Sequence, residues 1–303
     1  MPGQSVAVYS GARSGNPLVE QVELVIVSRA NSSHPFSPKL AMVATRKFYR
    51  RGPDVRGSEQ VSFVDVRRRF GFRSIAIGRW VTAEERDRAA GLFYDALSDL
   101  MVILQGPETL ISLRGNLSFQ YGIGGRLGVS AFYDPSAKSF SLAKNAGPGA
   151  IAHEWFHALD HYLAQKVFSD TSSSMYASEA WLRDATPVPH PLNDLLFACF
   201  KTVMLDEGGN NPSELVKASV NVDKVNGSIY YSQPVELCAR AFEAFIQDSS
   251  INNNFLVAGS KASQEAKLGL YPQGQQRLRI NQAFTAYFSC LGNSLWSLMR
   301  ANQ

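Results

Sequence analysis

The chain has 303 residues, of which 45% are hydrophobic and 18% charged, enough to build a core in one large domain or two small ones. No apolar run approaches the roughly 18 residues of a membrane-spanning helix, and the first residues resemble no secretory signal. The three cysteines are far apart and outside any CxxC pattern, which argues against a disulfide framework and a thiolate metal site. We therefore expect a cytoplasmic protein with no membrane partner.

The N-terminal part of the chain is predicted to be β-rich or mixed. Runs of β-branched residues at 22–28, 39–45 and 61–66 alternate with polar segments that contain proline and glycine. We assign residues 1–72 to this basic region and residues 73–303 to a second domain.

Positive charge is concentrated in the segment 46–79, although the net charge of the whole chain is only +4. This segment holds ten basic and three acidic residues, interleaved with aromatic ones. Such a composition suits contacts with nucleic acid or with an acidic partner. No recognised nucleic-acid motif accompanies it, so a solvated face whose arginines pair locally is the simpler interpretation.

A long helix and a small sheet are predicted next. Thr82 and Glu85 fit a capping box, and apolar residues then recur every three or four positions until Gly106. Strand-like runs follow at 110–115, 117–122, 128–134 and 138–144. We predict from them a small, mostly antiparallel sheet and hence an α+β fold.

Residues 153–157 read His-Glu-Trp-Phe-His, which is the HExxH pattern. On a helix, His153 and His157 lie on one face about 6 Å apart, so both imidazoles can bind one zinc ion. Glu154 is then placed beside the open coordination position as the candidate general base. The sequence therefore predicts a catalytic Zn²⁺ site on a largely buried helix.

A catalytic zinc site needs a third protein ligand, and His161 is the nearest remaining histidine. Eight residues of helix separate it from His153, an advance of about 12 Å, which is too far for one ion. The longer HExxHxxGxxH pattern, in which a glycine lets the chain turn, is not present. We expect His161 and Asp160 to support the site or to lie at its edge.

The third ligand is expected on a second helix that begins at Pro234. Glu236, Arg240 and Glu243 recur at i, i+4 and i+7 and form one polar face on an otherwise apolar helix. We predict Glu236 as the ligand and Arg240 and Glu243 as supporting residues, with Glu243 as the alternative ligand. An exposed face with an ordinary Glu–Arg pair is the other interpretation.

Three stretches of the sequence, AFYDPSAKSFSLAKN, AGPGAIAHEWFHALDHYL and PVELCARAFEAF, resemble a known family. They are similar to the bacterial and phage CLCA-X family and to the related large polyvalent protein-associated domain, over about residues 63–296. The resemblance implies a zincin-like metallopeptidase fold in which an HExxH helix and a glutamate-bearing helix hold the metal. It implies metal-motif roles for His153, Glu154 and His157, and an association with phages and mobile elements.

These observations predict a zinc-dependent metallopeptidase that hydrolyses a protein or peptide substrate, with Glu154 as general base. Tyr231, Tyr230 and His190 are candidate donors to the reaction intermediate. Residues 128–134 or 139–143 are candidates for a sheet edge that binds substrate. The alternatives are an antirestriction-type binding protein, which would engage nucleic acid or an acidic partner through the segment 46–79, and a metal-bearing pseudoenzyme.

Overall fold

A computed structural model of the chain describes residues 48–123, 131–143 and 149–301, and ten helices and six short strands lie in these ranges. The helices are α1 (Phe63–Phe70), α2 (Ala83–Ile103), α3 (Glu108–Ile111), α4 (Ala150–Val167), α5 (Ala177–Leu182), α6 (Asn193–Met204), α7 (Glu214–Asn226), α8 (Pro234–Gln247), α9 (Gln264–Lys267) and α10 (Gly274–Ala301). The strands are β1 (Arg50–Arg51), β2 (Ile75–Ile77), β3 (Ser118–Tyr121), β4 (Ala131–Asp134), β5 (Ser139–Leu142) and β6 (Asn252–Asn253). The predicted α+β class is confirmed, and the predicted strands at 22–28 and 39–45 lie outside the described residues.

The run 61–66, predicted as a strand, instead leads into helix α1. The Ser62 side chain accepts from the backbone N–H of Asp65, and the Asp65 carboxylate accepts from the N–H of Ser62, which forms a capping box. Phe63, Val66 and Phe70 are buried at the three- and four-residue spacing of a helix face. The strand prediction was wrong because β-branched composition in so short a run does not outweigh capping and helical spacing. Helix α1 packs against α2 and α3, and the domain boundary at residue 72 stays a prediction.

The main sheet has the strand order β2-β3-β5-β4. The β2–β3 and β3–β5 pairs are parallel, and only β4–β5 is antiparallel, so the prediction of a mostly antiparallel sheet was wrong. The connection from β2 to β3 contains α2 and α3, which supplies the long crossover that a parallel pair requires. The run 110–115, predicted as a strand, instead begins with the last two residues of the short helix α3. Strands β3, β4 and β5 lie within the runs predicted for them.

The helix predicted after Thr82 is confirmed as α2, with the predicted capping box between Thr82 and Glu85. It carries two acidic residues that bind arginines from the basic segment: Asp99 pairs with Arg50 at 2.7 Å, and Asp95 pairs with Arg56 at 2.9 Å. Local pairing thus accounts for part of the positive charge between residues 46 and 79. A nucleic-acid or acidic partner for this segment stays a prediction. No helix in the described ranges is long and apolar enough to cross a membrane.

Helices α4 and α8 lie side by side in the core because their aromatic residues pack together. Trp155 stacks on Phe242 with ring centroids 5.5 Å apart, and Phe156 lies 4.9 Å from the same ring. Phe284 and Phe288 of α10 join this cluster, with ring centroids 5.8 and 5.6 Å from that of Phe242. Since all five rings are buried, the two helices that carry the predicted metal ligands are held in one rigid core.

Gly149 fixes the beginning of α4. Its φ is +100°, and a Cβ there would lie 2.5 Å from the backbone nitrogen of Ala258. Both the left-handed conformation and the close approach require glycine. The backbone N–H of Ala152 donates to the carbonyl of Leu256 at 3.1 Å, which further ties the first turn of α4 to the loop after β6. This contact holds the turn that carries His153.

Asp248, at the end of α8, joins that helix to α10. Its carboxylate accepts from Arg277 at 2.6 and 3.0 Å, from Lys261 at 2.8 Å and from Asn281 at 2.8 Å. Partial burial acts to raise the pKa of Asp248, but Arg277, Lys261 and Asn281 outweigh it and lower the pKa from 3.8 to about 2.

We expect Asp248→Asn to lower the free energy of unfolding by about 2 kcal/mol at pH 7. The folded-state pKa lies below the unfolded value, so this contribution is complete above about pH 4 and is lost as the pH falls toward 2. Urea unfolding of both proteins at pH 7 and pH 3 measures the difference, which should be smaller at pH 3. Asp87→Asn, which removes a more exposed pair with Arg86, should change stability little at either pH.

Candidate metal centre

Helix α4 presents both histidines of the HExxH motif toward α8. The two Nε2 atoms of His153 and His157 lie 2.9 Å apart, as the i, i+4 spacing predicts for rings on one helix face. Their side chains are 14% and 11% exposed, so one side of the pair remains accessible to solvent.

Glu236 of α8 completes a three-residue group with these histidines. Its Oε2 lies 3.4 Å from His153 Nε2, and its Oε1 lies 3.3 Å from His157 Nε2. The two imidazole nitrogens and a carboxylate oxygen all lie within 4.8 Å of one another and could hold a metal ion. Glu236 follows His157 by 79 positions in the chain, so the packing of α4 on α8 creates the group.

Glu243, the alternative third ligand, is placed behind His153. Its Oε1 accepts from His153 Nδ1 at 2.7 Å, and its Oε2 accepts from the hydroxyl of Tyr271 at 3.0 Å. A proton on Nδ1 leaves the Nε2 lone pair of His153 directed at the centre, which is the arrangement that carboxylates impose on metal-binding histidines. The structure therefore groups Glu236 with the two histidines and gives Glu243 a supporting position.

Two buried polar atoms at the centre lack a hydrogen-bond partner among the described residues, Glu236 Oε2 and His157 Nδ1. A buried acceptor without a donor is costly unless a cation satisfies it. Burial acts to lower the pKa of His153, yet the charges and hydrogen bonds of Glu236 and Glu243 outweigh it and hold that pKa well above 6.5. The unpartnered carboxylate oxygen, grouped with two imidazole nitrogens, is an arrangement that a divalent ion would satisfy.

Glu154 lies beside the group and has no hydrogen bond from any described residue. It is 7% exposed, and burial, opposed by His153 and His157, raises the pKa of its carboxyl above 4.5. A carboxylate that is buried and not committed to a partner is suited to accept a proton from a substrate or from water.

His161 and Asp160 point away from the three-residue group. His161 donates from Nε2 to the carbonyl of Ser173 at 2.8 Å and accepts at Nδ1 from the hydroxyl of Tyr133, also at 2.8 Å. Asp160 accepts from the backbone N–H and the hydroxyl of Ser178 at 2.8 and 2.6 Å, and burial raises its pKa to about 6. Both residues anchor neighbouring segments to α4.

The three candidate donors to the reaction intermediate have different surroundings. Tyr230 is partly buried, and burial together with the charge and hydrogen bonding of Glu236 raises the pKa of its hydroxyl well above 10. The Tyr231 ring lies against Arg240, with 4.8 Å between the guanidinium carbon and the ring centroid. His190 is exposed and accepts from the backbone N–H of Leu192, away from the group. Of the three, Tyr230 is the one whose hydroxyl pKa is raised chiefly by burial and then by the charge of Glu236.

Sequence reasoning missed the two residues Tyr271 and Tyr176. Tyr271 contacts Glu243, and the Tyr176 ring lies 6.2 Å from that of His157 and 5.4 Å from that of His161. Neither tyrosine belongs to a motif or follows a helical spacing from the HExxH run, so no local signal identifies it.

Residues 222–295 match a family model described as large polyvalent protein-associated domain 1. The match covers about a quarter of the chain and includes α8, with Glu236, Arg240 and Glu243, but not the HExxH helix. It confirms part of the resemblance noted in the sequence. Comparisons with curated proteins and with solved structures found no match.

Proposed function

We propose that this protein is a zinc-dependent metallopeptidase with a zincin-like site. The observation that carries this proposal is the grouping of two imidazole nitrogens with the Glu236 carboxylate. His153 Nε2 and His157 Nε2 lie 2.9 Å apart, with Glu236 Oε2 3.4 Å from the first and Oε1 3.3 Å from the second. Ligand atoms about 2.0 Å from a tetrahedral zinc ion lie about 3.3 Å from one another. Two nitrogens and one oxygen are also a common donor set of catalytic zinc.

Zinc bound by these three residues would supply Lewis acidity, which makes water more acidic and stabilises negative charge on a carbonyl oxygen. Glu154 accepts a proton from the attacking water and passes it to the leaving amine, a role that its free, buried carboxylate suits. Glu243 holds the tautomer of His153 through the 2.7 Å contact at Nδ1. Tyr230, the pKa of whose hydroxyl is raised by burial and by the charge of Glu236, is the candidate hydrogen-bond donor to the reaction intermediate.

Strand β4 is the proposed substrate edge. Among the described strands it lies at the end of the sheet order, whereas β5 is paired on both sides, so of the two candidates only β4 has an edge that no described strand covers. Its Tyr133 is fixed to α4 through His161, which places this edge along the HExxH helix. An extended peptide can add to such an edge by main-chain hydrogen bonds.

The proposal is tested with the full-length protein by elemental analysis and by peptide cleavage. We expect about one zinc per chain after zinc loading, and cleavage of a random peptide library detected by mass spectrometry. A chelator should abolish cleavage, and added zinc should restore it. A chain that binds no zinc would contradict the metal site, and a zinc-loaded chain that cleaves no peptide would support the pseudoenzyme instead.

A further inference from the structure

Arg240 is a buried cation, and two of its guanidinium nitrogens have no hydrogen-bond acceptor in the part of the chain that the structure describes. Only 4% of its surface is exposed, and neither Nε nor Nη1 has a partner among the described residues. Buried guanidinium groups are expected to bind carboxylates or carbonyls because unpaired, desolvated donors are costly.

Arg277 of α10 is a useful comparison, because its guanidinium group has several hydrogen-bond acceptors. It donates to the Asp248 carboxylate, to Ser260 and to the carbonyls of Ala244 and Pro272. Arg240 therefore lacks acceptors because of its own surroundings, and not because this region is short of them.

Those surroundings are aromatic. The guanidinium carbon of Arg240 lies 4.8 Å from the ring centre of Tyr231 and 5.2 Å from that of Tyr271. Cation–π contacts hold the guanidinium in place but leave its N–H groups, which point outward in the guanidinium plane, without acceptors. The two rings thus hold the guanidinium group of Arg240 in place but provide no hydrogen-bond acceptors in its plane.

The carboxylates closest in sequence to Arg240 are committed to other groups. Glu236, one turn earlier on α8, faces His153 and His157 at 3.3 to 3.4 Å. Glu243, one turn later, binds His153 and the hydroxyl of Tyr271. Arg240 therefore lies between two residues of the metal centre, and the Tyr271 that contacts its guanidinium also binds Glu243.

We propose that Arg240 binds a carboxylate group of the peptide substrate next to the metal centre. A carboxylate matches the planar guanidinium fork with two parallel hydrogen bonds and supplies the acceptors that Nε and Nη1 lack among the described residues. Both a C-terminal carboxylate and an acidic side chain provide this chemistry. The inference rests on the proposed function, because it assigns the substrate class of the same site.

The test measures binding of three short acetylated peptides of equal length by isothermal titration calorimetry. One ends in a free carboxylate, one ends in an amide, and one ends in an amide but carries an aspartate in the last position. The full-length, zinc-loaded protein carries Glu154→Gln in every case so that the probes stay intact. Arg240→Met, Arg240→Lys and, as a control, the exposed Lys267→Met are compared in this background.

We expect at least one carboxylate probe to bind at least about tenfold more tightly than the neutral peptide, since hydrogen bonds to a charged group are strong. Arg240→Met should abolish this preference, Arg240→Lys should reduce it, and Lys267→Met should leave it unchanged. The probe that is preferred identifies the source of the carboxylate.

Equal binding of the three probes would overturn the inference without any variant, whether or not Arg240→Met folds. A preference that persists unchanged in the Arg240 variants would also overturn it, because the carboxylate would then bind elsewhere, for example on the metal. Zinc content and peptide cleavage by the unmodified protein are measured separately, so failure of the peptidase proposal is distinguishable from failure of this one.

Discussion

Glu236→Ala is expected to lower the zinc affinity of the protein by more than about 100-fold, beyond the 10- to 100-fold usual for residues behind the ligands. The variant removes the only acidic side chain that the described structure groups with both histidines. His153 and His157 would remain as a two-nitrogen site, which is too few protein ligands for a stable catalytic zinc. Competition with a coloured chelator measures the affinity.

Glu243→Gln is the matched comparison, because Glu243 faces the same histidine from the other side. The amide oxygen of the introduced glutamine can still accept from His153 Nδ1, so we expect a loss of only about 10- to 100-fold in zinc affinity. The structure therefore requires that the Glu236→Ala protein bind zinc more weakly than the Glu243→Gln protein. The reverse order would make Glu243 the ligand and would contradict the geometry described above.

Glu154→Gln is expected to retain zinc and to lower the turnover number for peptide cleavage by about 10²- to 10⁴-fold. Glutamine has nearly the same shape but cannot accept and return a proton. Since Glu154 is outside the three-residue metal group, the zinc affinity of the Glu154→Gln protein should stay close to that of the unmodified protein. Steady-state cleavage of a peptide identified in the library screen, with zinc measured in parallel, checks both quantities.

Glu207→Gln serves as the control for Glu154→Gln. Glu207 has a side chain that is 85% exposed and lies 3.7 Å from Arg279, so its replacement should change neither zinc content nor turnover. Full cleavage by zinc-loaded Glu154→Gln protein would remove Glu154 from the mechanism. Loss of zinc from that variant would show instead that Glu154 helps to bind the metal.

The family match and the metal centre overlap only in part. Residues 222–295 contain the helix that supplies Glu236, Arg240 and Glu243, while His153 and His157 lie outside this range. The acidic half of the centre is thus within a described protein domain. The zinc measurements would establish whether this half works together with the HExxH helix in this chain.

Much of the site could be predicted from the sequence because the patterns that identify it lie within single helices. The HExxH spacing determines that His153 and His157 share a helix face, and helix geometry alone argues against His161 as a ligand to the same ion. The charged stripe at i, i+4 and i+7 marked α8 as the partner helix. The capping box at Thr82 likewise predicted the beginning of α2.

Long-range packing decided the rest. Sequence favoured Glu236 as the ligand but kept Glu243 as the alternative, because both lie on one face of α8 and the outcome depends on how α8 lies on α4. The parallel pairing of β2 with β3 was missed for the same reason, since strand direction depends on a crossover and not on composition.

The sequence by itself determined which residues can bind a metal, because a helical repeat places side chains four positions apart on one face. Only the tertiary structure decided that Glu236 faces both imidazoles, that Glu243 supports His153 from behind, and that Arg240 is left without an acceptor. These distinctions arise from contacts between residues distant in sequence, such as the stacking of Trp155 on Phe242 and the cation–π contact of Arg240 with Tyr271, because such packing fixes how the helices lie on one another.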